Sequence, residues 1–90
     1  MHTLDGSRVL VIGGAGFLAS HIVDQLTAMP VREIVVLDNF VQGTRSNLES
    51  AAKDPRVHVV DGSVTDVSLL RGLMAGTDYV FHTEIGRAHV

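Results

Sequence analysis

Four short apolar runs recur along the chain: Val9-Leu10-Val11-Ile12, Ile34-Val35-Val36-Leu37, Val57-His58-Val59-Val60 and Tyr79-Val80-Phe81. Three are continuous rather than alternating. A strand with one wet face alternates apolar and polar residues, whereas a continuous run marks a strand covered on both faces, as in a parallel sheet flanked by helices. Parallel neighbours also need a crossover of about a dozen residues or more. The intervals between the runs are long enough to supply one.

Those intervals carry helical signals. Phe17, Leu18, His21, Ile22, Gln25 and Leu26 fall on helical spacings and form a mainly apolar stripe that stops near Met29-Pro30, because proline cannot continue a helix. A second helix is expected over Ser46 to Lys53, capped by Ser46 or Asn47 and closed by Asp54-Pro55. A third should start at Asp66 as N-cap, run through Val67, Leu69, Leu70, Leu73 and Met74, and end before Gly76. The order is then β-α-β-α-β-α-β. Right-handed crossovers arrange such a chain as an α/β, doubly wound parallel sheet of four strands in the order 3-2-1-4 with three helices, and the topological switch lies beside the first strand. Two consequences limit stability: the fourth strand is an open edge, and a single helix must cover one face.

Ninety residues, 46% hydrophobic and 19% charged, make one small globular domain. A formal charge of −3 with scattered Lys and Arg provides no basic field for a phosphate backbone, so no nucleic-acid partner is expected. There is no cysteine, hence neither a disulfide framework nor a thiolate metal site. Met1 to Arg8 lacks an apolar signal core, and no apolar run approaches the ~20 residues that span a bilayer. A soluble, cytoplasmic protein is the expectation.

Directly after the first run comes Gly13-Gly14-Ala15-Gly16-Phe17-Leu18-Ala19, which satisfies both G-x-G-x-x-A and G-x-x-G-x-x-A. One glycine supplies turn angles closed to other residues, and another lets the main chain approach a pyrophosphate with no side chain between. The anion then rests on helix N-terminal amides, where the macrodipole favours negative charge. Ala19 replaces the third glycine, whose role is close helix-to-strand packing. Asp38 ends the second run about twenty residues further on, the spacing at which a carboxylate accepts hydrogen bonds from adenosine ribose hydroxyls. An acid there repels a 2′-phosphate, so the expected cofactor is NAD rather than NADP. Taken alone, Asp38 also suits a turn with Asn39. No Gly-Lys-Ser/Thr follows the loop, which excludes a P-loop.

These residues resemble the extended short-chain dehydrogenase/reductases, in particular the NAD-dependent epimerase/dehydratases, whose nucleotide-binding domain is Rossmann-like. The resemblance covers nearly all of residues 7 to 82: the glycine loop with Ser20-His21 behind it, Val36-Leu37-Asp38-Asn39-Phe40 with Gly43 following, Asp61-Gly62-Ser63-Val64-Thr65-Asp66, and Asp78-Tyr79-Val80-Phe81-His82. It implies that Gly13, Gly14, Gly16, Phe17 and Leu18 surround the pyrophosphate, that Asp38 and Asn39 take the adenosine ribose with Gly43 in the following loop, and that Ser63 and Val64 meet the adenine edge. Two positions depart from the family: Ile12 stands where threonine is usual, and Ser63 where many members carry aspartate. A serine hydroxyl still accepts a hydrogen bond from the adenine amino group, but as a neutral partner it holds it less strongly.

Members of this family react through Tyr-x-x-x-Lys with a serine or threonine, the tyrosine's pKa lowered by the lysine charge. This sequence holds no such triad. Tyr79 has Thr83 four positions later and belongs to a strand core, and Lys53, the sole lysine, belongs to a surface helix. No catalytic residue and no metal ligand is assigned, since His2, His21, His58, His82 and His89 come from separate elements without ligand spacing. His82 ends the fourth run near the expected cofactor, so a cofactor-side role stays open beside an ordinary structural one. Asp61 and Asp66 read as a loop acid and a helix cap rather than an acid-base pair.

The resemblance implies the cofactor half of a nucleotide-sugar epimerase or dehydratase, with the whole protein acting on a nucleotide sugar, as a homodimer. A reductase of the same superfamily acting on a small carbonyl or steroid, and a non-catalytic nucleotide-sensing regulator, are the alternatives. Residues 84–90, Glu-Ile-Gly-Arg-Ala-His-Val, lack periodicity and coincide with the translation of a common sequencing-adapter oligonucleotide. They are expected to be a non-native tail on a partial domain of residues 1–83. The chain by itself is expected to be inactive and marginally stable.

Overall fold

A computed structural model describes residues 4–13, 16–40 and 45–82. Within them four parallel strands, β1 (Arg8–Ile12), β2 (Glu33–Asp38), β3 (Val57–Asp61) and β4 (Tyr79–His82), form one sheet in the order β3-β2-β1-β4. The expected α/β architecture and strand order are both present. Register is continuous: Val11 pairs with Val36 of β2 and with Phe81 of β4, and Val36 pairs in turn with Val59 of β3.

Side chains alternate between the faces of a strand, so the runs of β1 and β2 each feed two cores. Val9, Val11, Ile34, Val36 and Val57 pack with Val23 and Leu26 of α1 (Phe17–Thr27) and with Leu48 and Ala51. Leu10, Ile12, Val35 and Leu37 point the other way, onto Leu69, Leu70 and Leu73 of α2 (Val67–Met74). Both central strands are therefore buried on both sides, which is why their sequences do not alternate. The second face is thinly covered: α2 has no buried residue, and Val67, Met74, Tyr79 and Val80 remain exposed. Among the described residues, β4 is an edge strand and α2 alone covers the second face, both as expected.

The helix ends follow local chemistry. The Asp66 carboxylate accepts the Leu69 amide at 3.1 Å and caps α2, while Gly76 beyond its end takes φ +76°, a region that favours glycine. Arg8 then donates to the Leu73 and Ala75 carbonyls at 2.9 and 2.7 Å and to Glu33 at 2.8 Å, tying the end of α2 to β1 and β2. A second guanidinium does the same for α1, since Arg56 donates to the carbonyls of Thr27, Met29 and Val31 and is gripped by Asp54 at 2.7 Å.

One expected element differs. In place of a helix over Ser46 to Lys53 there are two 3-10 turns, Arg45–Leu48 and Ala51–Lys53. Glu49 bonds back to Ser46 and Asp54 to Ala51, the i to i−3 pattern of that geometry. The segment buries only Leu48 and Ala51, three apart. A three-residue turn sets both on one stripe, and nothing further along would stabilise a longer α-helix.

Candidate functional site

The carboxyl ends of the four strands bring Ile12, Asp38, Asp61 and His82 to one edge of the sheet, with Ile12 in register with both Leu37 and His82. α1 leaves β1 onto one face and α2 leads into β4 from the other, so the winding reverses between β1 and β4, the place at which open α/β sheets bind ligands.

Gly13 turns the chain out of β1 with φ +81°, and its amide donates to the Leu37 carbonyl at 2.7 Å, fixing the turn against the end of β2. Gly16 is the N-cap of α1, buried and extended (φ −70°, ψ 161°), with no side-chain cap. The first intrahelical bond runs from Ser20 to the Gly16 carbonyl at 2.8 Å. The amides of Phe17, Leu18 and Ala19 precede it and have no acceptor within the helix. No acid lies in the first turn, so no carboxylate of the helix itself competes for the positive end of its dipole. Gly14 lies outside the described residues, as does Gly43.

Asp38 closes β2 and is 9% exposed. Its Oδ1 accepts the Phe40 amide at 2.7 Å, so the turn reading of this residue holds. The ribose reading needs a further acceptor position of the four or so that a carboxylate offers. Phe40 takes φ +59°, an uncommon angle for a bulky side chain, and Asn39 between them is exposed. The Asp38 carbonyl accepts the Gly62 amide at 3.0 Å, which sets the loop after β3 beside the loop after β2.

That second loop carries Ser63 and Val64. Ser63 Oγ accepts the Thr65 amide at 3.1 Å and lies 2.8 Å from the Thr65 hydroxyl. If the Ser63 hydrogen goes to Thr65, one lone pair remains for an incoming donor; if Thr65 donates instead, none does. Val64 is exposed. A Cβ at Gly62 would displace the terminal methyl of Leu69 and come within 3.3 Å of Leu37.

The structure adds a residue that sequence reasoning passed over. Arg45 pairs with Asp61 at 3.0 Å and stacks over the Phe40 ring at 4.2 Å. Arg45 and Asp61 stand sixteen residues apart, and no short-range pattern links them. A cavity of about 160 Å³ lies below, lined by Phe40, Arg45, Leu48, Ala52 and Val59, smaller than the ~300 Å³ at which drug-sized ligand sites begin. Among the described residues, no group of three His, Cys, Asp or Glu side chains could hold a metal ion, and no helix is long and apolar enough to cross a membrane.

Residues 9–90 match the family model described as the NAD dependent epimerase/dehydratase family. The chain is 42% identical to a dTDP-glucose 4,6-dehydratase of Actinoplanes sp., over 83% of its own length and 26% of that protein's. It is 35% identical to UDP-glucuronic acid decarboxylase 5 of Arabidopsis thaliana, over 83% of its length and 20% of the relative's. In structure it is similar to a double mutant of DesIV, a dTDP-glucose 4,6-dehydratase from Streptomyces venezuelae crystallised with NAD, at a TM-score of 0.82 and 40% identity, covering 91% of this chain and 27% of that one. The chain thus spans about a quarter of the length of the proteins it matches.

Proposed function

Because the chain belongs to the NAD dependent epimerase/dehydratase family, we propose that it is the NAD-binding portion of an enzyme that remodels a nucleotide sugar. The observation that carries this reading is an uncapped, acid-free helix N-terminus placed directly after a buried parallel strand, with a carboxylate ending the neighbouring strand. The donor set fits a dinucleotide. Backbone amides at Phe17 and Leu18, with that of Gly16 shared with the Gly13 carbonyl at 3.2 Å, suit the pyrophosphate, Asp38 and Asn39 suit the adenosine ribose, and Ser63 with Val64 suits the adenine edge.

When bound in the whole enzyme, NAD supplies a hydride acceptor and donor at a sugar carbon. The residues described here bind and orient. Asp38, already bonded to the Phe40 amide, has its carboxylate fixed before any ligand arrives. The ordering cost of a ribose contact is then lower than for a mobile acid. Proton transfer at the sugar is assigned to residues outside this sequence, so the 90-residue chain is expected to bind without turnover. The names of the relatives favour a nucleoside-diphosphate sugar as substrate over a steroid or a free carbonyl compound. We also take residues 1–83 as the authentic partial domain and 84–90 as foreign to it. A genomic reading frame that departs from this sequence after Thr83 and later encodes Tyr-x-x-x-Lys supports that division, and one that continues Glu-Ile-Gly-Arg argues against it.

Calorimetric titration of the purified chain with NAD+ tests the central reading. Saturable binding is expected, lost in Gly13→Val, where the φ of +81° is closed to a β-branched residue. A folded chain that takes up no NAD+ contradicts it.

A further inference from the structure

Asp38 and Asp61 are direct register partners on β2 and β3. Their side chains therefore leave the same face of the sheet from strands about 4.8 Å apart, an arrangement in which like charges repel. Arg45 compensates one of them. Its guanidinium is fixed at two points, by the Asp61 carboxylate at 3.0 Å and by the face of the Phe40 ring at 4.2 Å. Phe40 is in turn fixed by Asp38, whose Oδ1 accepts the Phe40 amide. The four residues form a chain of contacts across the ends of both strands, with the acid expected at the ribose at one end and a cation drawn to the other.

From this arrangement we infer that Asp61 is a specificity-determining residue for the dinucleotide: it keeps the Arg45 guanidinium engaged at the end of β3, so that it does not meet a 2′-phosphate on the adenosine ribose beside Asp38, and so disfavours a 2′-phosphorylated cofactor. The inference rests on the dinucleotide reading above. A guanidinium with its planar fork of donors is the natural partner of a phosphate. Arg45 released from Asp61 has a long, flexible stem with which to turn toward a phosphate on that ribose. The exclusion of a 2′-phosphate then has two layers, the direct repulsion by Asp38 and the sequestering of the nearby cation by Asp61.

The ion pair is exposed, 66% at Arg45 and 58% at Asp61. Substituting Asp61 therefore removes no core packing, and the pair it breaks is worth only a modest factor in binding.

The experiment measures dissociation constants of the 90-residue chain for NAD+ and NADP+ by calorimetry at low salt, with circular dichroism to verify folding of each variant. Asp61→Asn and Asp61→Ser are each expected to lower the NADP+ to NAD+ ratio of dissociation constants by about two- to fivefold, the worth of an exposed ion pair. The double variant Asp61→Asn/Arg45→Ala is expected to restore the original ratio, and salt is expected to erase the gain as it screens the phosphate contact. A loss of fold alone would weaken both cofactors together and leave the ratio in place. An unchanged ratio in both single variants overturns the inference while leaving NAD binding intact. So does a lowered ratio that survives removal of Arg45, because the cation would then play no part. If the unsubstituted, folded chain binds neither cofactor, the dinucleotide reading itself fails and takes this inference with it.

Discussion

Leu10 is fully buried at the centre of the thinner core, between Ile12, Val35 and Leu37 and beneath Leu69, Leu70 and Leu73 of α2. Leu10→Ala removes three carbon groups, about 2.4 kcal/mol of transfer free energy at ~0.8 per methylene. A cavity contribution adds to this, and buried Leu→Ala changes as a class cost about 2–5 kcal/mol. The wall of this cavity is α2, the one helix on that face among the described residues, and it holds no buried residue. It can settle inward, which places the loss in the lower half of the range, at about 3 kcal/mol. A chain of this length has about 5–13 kcal/mol of total stability at the usual ~0.05–0.15 per residue. The substitution should therefore lower the melting temperature by about 12–24 °C at ~4–8 °C per kcal/mol. Urea and thermal unfolding followed by circular dichroism read this directly, with Val67→Ala as the control: Val67 is 59% exposed and should change stability by no more than about 0.5 kcal/mol. A loss below about 1 kcal/mol at Leu10 would mean that α2 does not seal that face, and the two-core description would be wrong.

Further outcomes follow from single residues. Asp38→Asn keeps an acceptor for the Phe40 amide but loses the charge, and it should weaken NAD+ binding about tenfold or more, as expected for a hydrogen bond to a charged group worth ~1.5–3 kcal/mol; Asp38→Ala should lose the turn as well and bind still less in the same titration. Asp66→Ala removes the α2 cap and should cost about 1 kcal/mol in urea unfolding. Hydrogen bonds from the Arg56 side chain and then its amide hold the Asp54 carboxyl at about 2, below its ordinary 3.8. A depressed carboxylate stabilises the fold above its ordinary pKa and loses that contribution as pH falls through the lowered one. Melting temperature measured from pH 5 to pH 1.5 should therefore fall less steeply between about 4 and 2 in Asp54→Asn than in the unsubstituted chain.

The central strands β1 and β2 were legible because burial on both faces leaves a continuous apolar run, whereas the equally apolar run of β4 lies largely exposed at the edge; the α2 boundaries were legible because Asp66 and Gly76 each perform a local backbone task. The turns over 45–53 were not legible, since Leu48 and Ala51 at a spacing of three fit an α-helix and a 3-10 turn equally well in so short a segment. At the site, Gly13, Gly16 and Asp38 announce themselves through spacing from a strand. Arg45 does not, because its partner Asp61 is brought near only by the pairing of β2 with β3. The same holds for Arg8 and Arg56, whose guanidinium groups cap helices that are distant in sequence. Long cations read as surface residues until tertiary structure supplies their acceptors.

We propose that backbone amides at the start of α1 receive the pyrophosphate. Amide chemical shifts of the isotopically labelled chain, followed during titration with NAD+, test it residue by residue. Saturating shifts are predicted at Gly16, Phe17, Leu18 and Asn39, with Arg56 and Val57 at the opposite end of the sheet unmoved. Uptake of NAD+ that leaves the Gly16 to Leu18 amides undisturbed would contradict it.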